Sequence, residues 1–301
     1  MPTLDVEQIS KNFGDQRAVD AVSFSVEPGE IFGLLGPNGA GKTTTIRIIL
    51  DIFKPDRGKV SILGGPMSED KKNRIGYLPE ERGLYQDLTL ERCLTYLASL
   101  KGLSAGEARR RINAYLERFD LVEARQKKIK EMSKGMQQKA QLITTLVHDP
   151  EMVIIDEPFS ALDPVNTQMV KDLLRELRDK GVTIVMCTHQ MHQVEELCDR
   201  IILINQGQAI LYGPLDDIRR QFSGQELIVT AEGPLPALPG VLHAVPYNNS
   251  GSRLSLAPGT NPQDILRLLV AQNVCVEQFE IAMPTLDEIF IQVVQGREDP
   301  A

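Results

Sequence analysis

The stretch Gly36–Thr43 combines glycines, a lysine and a threonine at the spacing G-x-x-x-x-G-K-T. Glycines let a loop backbone curl so that its N–H groups point inward, where they can bind phosphate oxygens. Lys42 would bring a full positive charge toward the outer phosphates, and the Thr43 hydroxyl is placed to bind Mg²⁺. The residue types and their order therefore predict a binding site for a nucleoside triphosphate.

Two acids and a histidine farther along the chain could supply chemistry at such a phosphate. Asp156 and Glu157 end the apolar run 151–157, and His189 comes just after the apolar run 182–187. These runs indicate strands of a parallel sheet covered on both faces, and ligands bind at the carboxyl ends of such strands. We expect Asp156 to hold Mg²⁺, Glu157 to orient or deprotonate a water molecule, and His189 to reach a phosphate. Surface acids and a structural histidine are the plain alternative, which the phosphate loop earlier in the chain disfavours.

Two weaker signals are an aromatic residue and a second helix start. Phe13 falls at the turn between the alternating segments 3–10 and 19–26, where its ring could stack on a base or pack on the protein. Ser133 can cap the helix that follows it, and Gly135 leaves the backbone bare, which makes a second anion-binding helix start. Because many helices begin with serine, this second motif gains its meaning from its position in the chain.

The elements that must position these residues follow an α/β pattern. A strand over 31–35 precedes the phosphate loop, and a helix over 44–50 follows it. The alternating segments near the N-terminus predict an antiparallel pair, and a helical subdomain occupies about 80–135. Past the α/β part the composition shifts toward Gly, Pro, Asn and Ser, and short strands and helices follow. We therefore expect an α/β domain over residues 1–222 and a small α+β domain over 223–301.

Composition and charge narrow the classes of function. The formal net charge is −8 and the pI is near 5.2, which argues against nucleic acid as the main partner because a binding face for it is normally basic. The four cysteines include no C-x-x-C pair, so neither a zinc site nor a disulfide framework is expected. No apolar run approaches the roughly 18–20 residues that cross a bilayer, and the polar first ten residues do not predict a signal peptide. If the protein works at a membrane, we expect another chain to cross it.

Taken together and in order, the motifs over roughly residues 4–222 resemble those of the ATP-binding subunit of an ABC transporter. GPNGAGKT matches the family's phosphate loop, IIDEP its Mg²⁺ and base strand, SALD its D-loop and CTH its switch histidine. MSKGM stands where the family has its LSGGQ signature. The resemblance implies the P-loop fold of ABC ATPases, an α/β fold with an antiparallel β subdomain and a helical subdomain.

The resemblance also implies ATP and Mg²⁺ as ligands and a role for individual residues. Catalysis would rest on Glu157 as general base, on His189 at the γ-phosphate and on Lys42. The metal would be held by Thr43, by Asp156 and by Glu80, which stands at the family's Q-loop position. The residues implied to bind ATP are Phe13 on the adenine; Gly36, Pro37, Asn38, Gly39, Ala40, Gly41, Lys42, Thr43 and Thr44 of the phosphate loop; Asp163 of the D-loop; and Ser133 and Gly135, which would contact the ATP held by a second subunit.

Three residues depart from the family's motifs. Lys134 and Met136 replace the first glycine and the glutamine of LSGGQ, and Glu80 replaces the Q-loop glutamine. Ser133 and Gly135 are retained, so we expect the phosphate contact of this segment to remain. The small C-terminal domain, with its ending PTLDEIF, resembles the tail domain of bacterial ABC-2-type exporter ATPases, including sodium and drug exporters.

The resemblance implies the ATP-hydrolysing motor of an ABC exporter. Its implied partners are a second ATPase subunit in a head-to-tail dimer and a separate transmembrane permease, with the chain on the cytoplasmic face of the cell membrane through that permease. A soluble ABC ATPase of translation control is one alternative, but such proteins usually carry two cassettes per chain. A DNA-maintenance ATPase would interrupt the fold with a long coiled coil, and no sustained heptads occur here. A regulatory ATP-binding module is disfavoured by the Asp156–Glu157 pair.

Overall fold

The computed structural model describes residues 1–81, 83–223, 226–247, 251–257 and 259–295. The chain divides into two compact units, Met1–Gly213 and Pro214–Ala301. This division precedes the boundary at 222/223 that composition suggests. The helix that follows the division bonds within the second unit, where Arg219 Nε donates to the carbonyl oxygen of Pro284 at 3.1 Å.

The first unit alternates strands and helices. Its strands are β1 (Leu4–Phe13), β2 (Gln16–Val26), β3 (Ile31–Leu35), β4 (Arg57–Ile62), β5 (Ile75–Leu78), β6 (Met152–Asp156), β7 (Thr183–Cys187), β8 (Arg200–Asn205) and β9 (Gln208–Pro214). Its α-helices are α1 (Lys42–Ile49), α2 (Glu69–Asn73), α3 (Leu90–Leu100), α4 (Ala105–Arg118), α5 (Lys134–Leu146), α6 (Pro164–Asp179) and α7 (Met191–Leu197). The expected order of elements around the phosphate loop and the acids is confirmed.

A six-stranded sheet in the order β5-β6-β7-β3-β8-β9 forms the centre of this unit. The pairs from β5 through β8 run parallel. Strands β3, β6 and β7 are buried along their whole length, as their continuous apolar runs predict for a sheet covered on both faces. The carboxyl ends of β3, β6 and β7 therefore meet at one edge, where Asp156 pairs with Cys187 in the ladder.

An antiparallel sheet in the order β2-β1-β4 packs beside the central one. Its inward residues share one apolar cluster with α1 and with the central strands, including Val6, Phe24, Ile46 and Ile154. The antiparallel pair expected near the N-terminus is thus confirmed and extends through Phe13. This packing brings the end of β1, at Phe13, to the same pocket as the phosphate loop.

The expected helical subdomain contains α3, α4 and the start of α5, and serine or threonine caps each helix. The oxygen of Thr89, of Ser104 and of Ser133 accepts the N–H three residues later at 3.4, 3.4 and 3.2 Å. Among the described residues, none of the helices combines the length and the apolar character needed to cross a membrane.

The second unit holds α8 (Leu215–Gln221), β10 (Glu226–Ala231), β11 (Val241–Tyr247), β12 (Gly251–Leu256), α9 (Pro262–Ala271), β13 (Val276–Ile281) and α10 (Leu286–Gln295). Its strands form an antiparallel sheet in the order β11-β12-β10-β13, and α9 packs its apolar side against that sheet. Arg253 pairs with Glu226 and with Glu288, which ties β12 to β10 and α10. The small α+β arrangement is the one expected for this part of the chain.

Candidate active site

The phosphate loop lies between β3 and α1, and its glycines adopt conformations that other residues avoid. The φ angle is 147° at Gly36, 78° at Gly39 and 105° at Gly41. A Cβ on Gly36 would lie 2.1 Å from the carbonyl oxygen of Ile204, and one on Gly41 would lie 2.3 Å from that of Ala18. Neighbouring backbone thus fixes the loop in the curled form that presents N–H groups to an anion.

The side chain of Lys42 curls over the same loop. Its Nζ donates to the carbonyl oxygens of Gly36 at 2.8 Å and of Pro37 at 3.0 Å. These bonds hold the ammonium at the mouth of the loop, beside the N-terminus of α1. A positive charge, a helix N-terminus and inward-pointing backbone N–H groups together make a strong phosphate site.

A pocket of about 510 Å³ opens at this edge of the central sheet. The predicted site residues that line it are Phe13, Asn38, Gly39, Gly41, Lys42, Thr43, Thr44, Glu80, Asp156, Glu157 and His189. Gln16 and Ala18 line it as well and were not predicted. Residues separated by more than a hundred positions in sequence therefore face one cavity, as the order of the strand ends requires.

Asp156 is the most enclosed acid of the pocket. It is only 3% exposed, and its Oδ2 has no hydrogen-bond partner within the part of the chain that the structure describes. Burial raises the pKa of this carboxyl, and the nearby charges of Glu80 and Glu157 raise it further, while a bond from Cys187 and the charge of Lys42 oppose them. A buried carboxylate oxygen without a partner, close to two more carboxylates, is a site that a cation would stabilise.

The acidic residues of the pocket, together with Thr43, fit a bound Mg²⁺. Among the described residues no group of three or more His, Cys, Asp and Glu side chains forms a metal site by itself. Mg²⁺ is commonly bound through one or two carboxylates together with substrate phosphates, so a preformed protein cage is not required. The donors available here are the Thr43 hydroxyl and the orphaned oxygen of Asp156, with Glu80 at the same pocket.

The carboxylate of Glu157 is held by the loop that follows β7. Its Oε1 accepts the backbone N–H of His189 at 2.9 Å and lies 2.7 Å from Nδ1 of the same histidine. Its Oε2 accepts the hydroxyl of Thr188 at 3.1 Å. Glu157 adopts a φ of 54°, and its own N–H donates to the carbonyl oxygen of Cys187 at 2.9 Å. The strand end and the loop together aim this carboxylate at the pocket.

Phe13 lines the pocket, and two neighbouring side chains contact its ring. It is 46% exposed, and Phe53 meets it edge-on with ring centroids 5.5 Å apart. The ammonium of Lys11 lies 5.9 Å from the Phe13 centroid. A half-exposed aromatic held in this way can stack on a flat ring system.

Six of the predicted residues lie outside the lining of the pocket: Gly36, Pro37, Ala40, Ser133, Gly135 and Asp163. Gly36, Pro37 and Ala40 belong to the phosphate loop but do not line the pocket. Ser133 caps α5 and Asp163 caps α6, where it accepts the N–H of Asn166 at 2.9 Å. A Cβ on Gly135 would lie 3.0 Å from the carbonyl oxygen of Ala161. Within one chain, the start of α5 therefore packs on the loop after β6 rather than on the pocket.

Thr188 contacts Glu157, and the sequence did not predict this contact. The available signal was a hydroxyl directly before the candidate histidine at a strand end. Its contact with Glu157 depends on the parallel pairing of β6 with β7, which spacing alone does not reveal.

Comparison with known proteins supports one family. Residues 19–160 match the family model described as ABC transporter. Residues 213–294 match a second model, described as the C-terminal domain of the DrrA1-3-like ATP-binding proteins.

Individual relatives extend the similarity over nearly the whole chain. An uncharacterized ABC transporter ATP-binding protein of Bacillus subtilis is 38% identical over 97% of this chain and 98% of its own length. The linearmycin resistance ATP-binding protein of the same organism is 31% identical over 96% of this chain and 97% of its own length. A solved structure described as the ATP-binding subunit of an ABC transporter is 36% identical, with a TM-score of 0.69, and covers 73% of this chain and 93% of that one. The chain therefore belongs to the ATP-binding subunits of ABC transporters, and as a member of that family it is an ATPase.

Proposed function

We propose that the chain binds Mg²⁺-ATP in the pocket at the ends of β3, β6 and β7 and hydrolyses it to drive export through a separate membrane permease. The observation that carries this proposal is the convergence of the phosphate loop, Asp156, Glu157 and His189 on one cavity. These are the groups that phosphoryl transfer to water requires: a phosphate cradle, a metal carboxylate and a base beside it.

Each residue has a defined task in this proposal. Phe13 stacks on the base, and the loop N–H groups with Lys42 bind the phosphates. Thr43 and Asp156 would hold Mg²⁺, which would supply positive charge to neutralise the phosphates. Glu157 accepts a proton from the attacking water, and the His189 ring turns toward the γ-phosphate. Glu157 is enclosed, with a side chain that is 11% exposed, so the protein limits the access of bulk water to the proposed base.

The proposed site is completed by a second copy. Ser133 and Gly135 form a capped helix start that the structure places outside the chain's own pocket, so their expected phosphate contact needs the nucleotide of a partner. A head-to-tail dimer with two ATP molecules at its interface satisfies this requirement. ATP binding would close the dimer and hydrolysis would open it, and the permease would convert that cycle into transport at the cytoplasmic face of the membrane.

Export as the direction of transport is supported by two similarities. Residues 213–294 match the C-terminal domain of DrrA1-3-like ATP-binding proteins. A Nod factor export ATP-binding protein of Burkholderia pseudomallei is 34% identical over 88% of this chain and 96% of its own length. We therefore infer that the permease exports its substrate.

The proposal is tested by measuring ATP hydrolysis by the purified chain with Mg²⁺ and with a chelator. Lys42→Ala should reduce kcat/KM by at least about a hundredfold, since it removes the only lysine charge lining the described pocket. Lys54→Ala is the matched control, because Lys54 pairs with Asp51 outside the pocket. Equal turnover by both variants, or turnover that persists without Mg²⁺, would contradict the proposal.

A further inference from the structure

The loop after β7 places a buried hydroxyl against the proposed base. Thr188 is 0% exposed, and its Oγ1 lies 3.1 Å from Oε2 of Glu157. The same Oγ1 accepts the backbone N–H of Gln190 at 3.1 Å. Because that N–H occupies a lone pair of the hydroxyl, and an ionised carboxylate can only accept, the hydroxyl hydrogen is directed at Glu157.

The other oxygen of the carboxylate is held separately. Oε1 of Glu157 accepts the backbone N–H of His189 at 2.9 Å and pairs with its Nδ1 at 2.7 Å, so Nδ1 carries hydrogen in this arrangement. The two residues differ in exposure. The His189 side chain is 66% exposed, whereas Thr188 is enclosed by the protein. The imidazole is therefore the donor that can rotate away, while the hydroxyl and the backbone N–H stay.

The backbone of Glu157 is held by contacts separate from those of its carboxylate. A φ of 54° is unusual for a residue with a side chain, and it persists only where surrounding contacts hold it. Gln138 from α5 fixes the backbone by donating to the carbonyl oxygens of Glu157 and Pro158, both at 3.2 Å. Those bonds set the position of the Cα but leave the plane of the carboxylate undetermined.

We propose that Thr188 is a positioning residue for ATP hydrolysis: its hydroxyl fixes Oε2 of Glu157, so that the plane of the carboxylate does not depend on the His189 ring. The inference rests on the proposed function, because it assumes that Glu157 is the base. When His189 turns toward the γ-phosphate, Oε2 stays bound to the hydroxyl and Oε1 to the backbone N–H. The carboxylate then faces the attacking water in the orientation it already has.

The direct test compares Thr188→Val with Thr188→Ser in the full-length chain. Valine keeps the branched shape and removes the hydroxyl, and serine keeps the hydroxyl. Loss of a hydrogen bond to a charged group should lower kcat by about tenfold to a hundredfold in the valine variant. The Kd for Mg²⁺-ATP should stay within about twofold of wild type, because Thr188 is outside the lining of the phosphate pocket. Serine should retain most of the turnover.

A structural role would produce a different result. If Thr188 only supports the fold, Thr188→Val should weaken nucleotide binding and lower the melting temperature together with kcat, and serine should not separate these effects. Should the valine variant not fold, Thr188→Ala removes the hydroxyl without placing a methyl group against the carboxylate. Wild-type kcat in a folded variant that lacks the hydroxyl would overturn the inference.

A double-mutant cycle separates this inference from the assignment of the base. In a Glu157→Ala background the hydroxyl has no carboxylate to hold, so adding Thr188→Val should not slow the residual hydrolysis further. A further slowing by the same factor would overturn the role of Thr188. If Glu157→Ala itself hydrolyses ATP at the wild-type rate, the proposed function is wrong. If it is inactive while Thr188→Val is fully active, only the inference about Thr188 fails.

Discussion

The single residues of the pocket are arranged around an excess of negative charge. Glu80, Asp156 and Glu157 face a cavity that Lys42 also lines, and the pKa of Asp156 is raised by burial first and then by its acidic neighbours. This arrangement is unfavourable by itself and becomes favourable when a divalent cation joins it.

The spacing of motifs predicted Asp156, Glu157 and Lys42, because strand ends and a phosphate loop are local features. The support given by Thr188 and Phe53 was not predictable, since it depends on which segments approach in space.

Glu80 provides a prediction at this scale, because it stands where the family has a glutamine. A carboxylate attracts Mg²⁺, and an amide has no charge to do so. We expect Glu80→Gln to raise the Mg²⁺ concentration for half-maximal ATPase by roughly tenfold, as the loss of one charged ligand group implies. The measurement is a Mg²⁺ titration of ATPase at fixed ATP.

The neighbouring Glu81 supplies the matched control for this titration, because it is exposed and does not line the pocket. Glu81→Gln should leave the Mg²⁺ dependence unchanged. With the permease present, Glu80→Ala should lose stimulation by the permease, whereas Glu80→Gln should keep it. Identical titrations for wild type and both Glu80 variants would show that Glu80 is a surface residue without a metal role.

At the scale of elements, the prediction from sequence succeeded where a strand or helix has a strong pattern. The fully apolar runs gave β3, β6 and β7, and the Ser133 cap gave the start of α5. Helix α2 was not predicted, because its five residues Glu69–Asn73 bury no side chain and so leave no periodic signal. Composition suggests a boundary at 222/223, whereas the compact units divide at 213/214, because composition does not show which unit α8 joins.

The end of α5 is tied to β5 by a buried histidine. His148 is 9% exposed, its Nε2 lies 3.2 Å from the carbonyl oxygen of Ile75, and burial lowers its pKa from 6.5 to about 4. The charges of Lys101 and Arg111 contribute to this lowered pKa, while the bond to Ile75 and the charge of Asp149 oppose it. Between about pH 4 and 6.5 the ring is therefore neutral in the folded chain, whereas an unfolded histidine is protonated.

His148 makes stability depend on pH with a definite sign. Because the folded pKa lies below the unfolded one, its contribution is fully present above pH 6.5 and is lost as pH falls from 6.5 to about 4. At pH 5 the loss is about 2 kcal/mol. His148→Gln can keep a donor near the Ile75 carbonyl and does not titrate, so it should lose less stability than wild type between pH 7.5 and pH 5.

Urea unfolding followed by far-ultraviolet circular dichroism at both pH values measures this difference. His192→Gln is the control, since His192 is exposed. Parallel losses of stability in wild type and His148→Gln would refute the role of the buried ring.

At the scale of the whole molecule, one chain holds two helix starts that we propose bind phosphate, and the two do not share a pocket. The first begins α1 and lines the cavity, and the second begins α5 and packs on the loop after β6. Sequence reasoning proposed both, but it could connect them only through resemblance, because contacts between copies leave no mark in the spacing of one chain. The shared site therefore remains a prediction about the assembly.

Complementation between variants tests this assembly. Lys42→Ala removes a phosphate charge, and Gly135→Asp would place a carboxylate against the γ-phosphate of the partner's nucleotide. If sites are shared, each mixed dimer keeps one site with neither change, so a mixture should hydrolyse ATP when neither variant does so alone. Full activity of a dilute wild-type monomer would contradict sharing.

The fate of ATP bound to Glu157→Gln shows whether Glu157 is the base. Turnover and oligomeric state are followed together, by phosphate release and by sedimentation, with saturating Mg²⁺-ATP. If Glu157 is the base, the variant binds ATP with the wild-type Kd, turns over at least about a hundredfold more slowly, and accumulates as a dimer that retains unhydrolysed ATP. Wild-type phosphate release by Glu157→Gln would show that Glu157 is not the base.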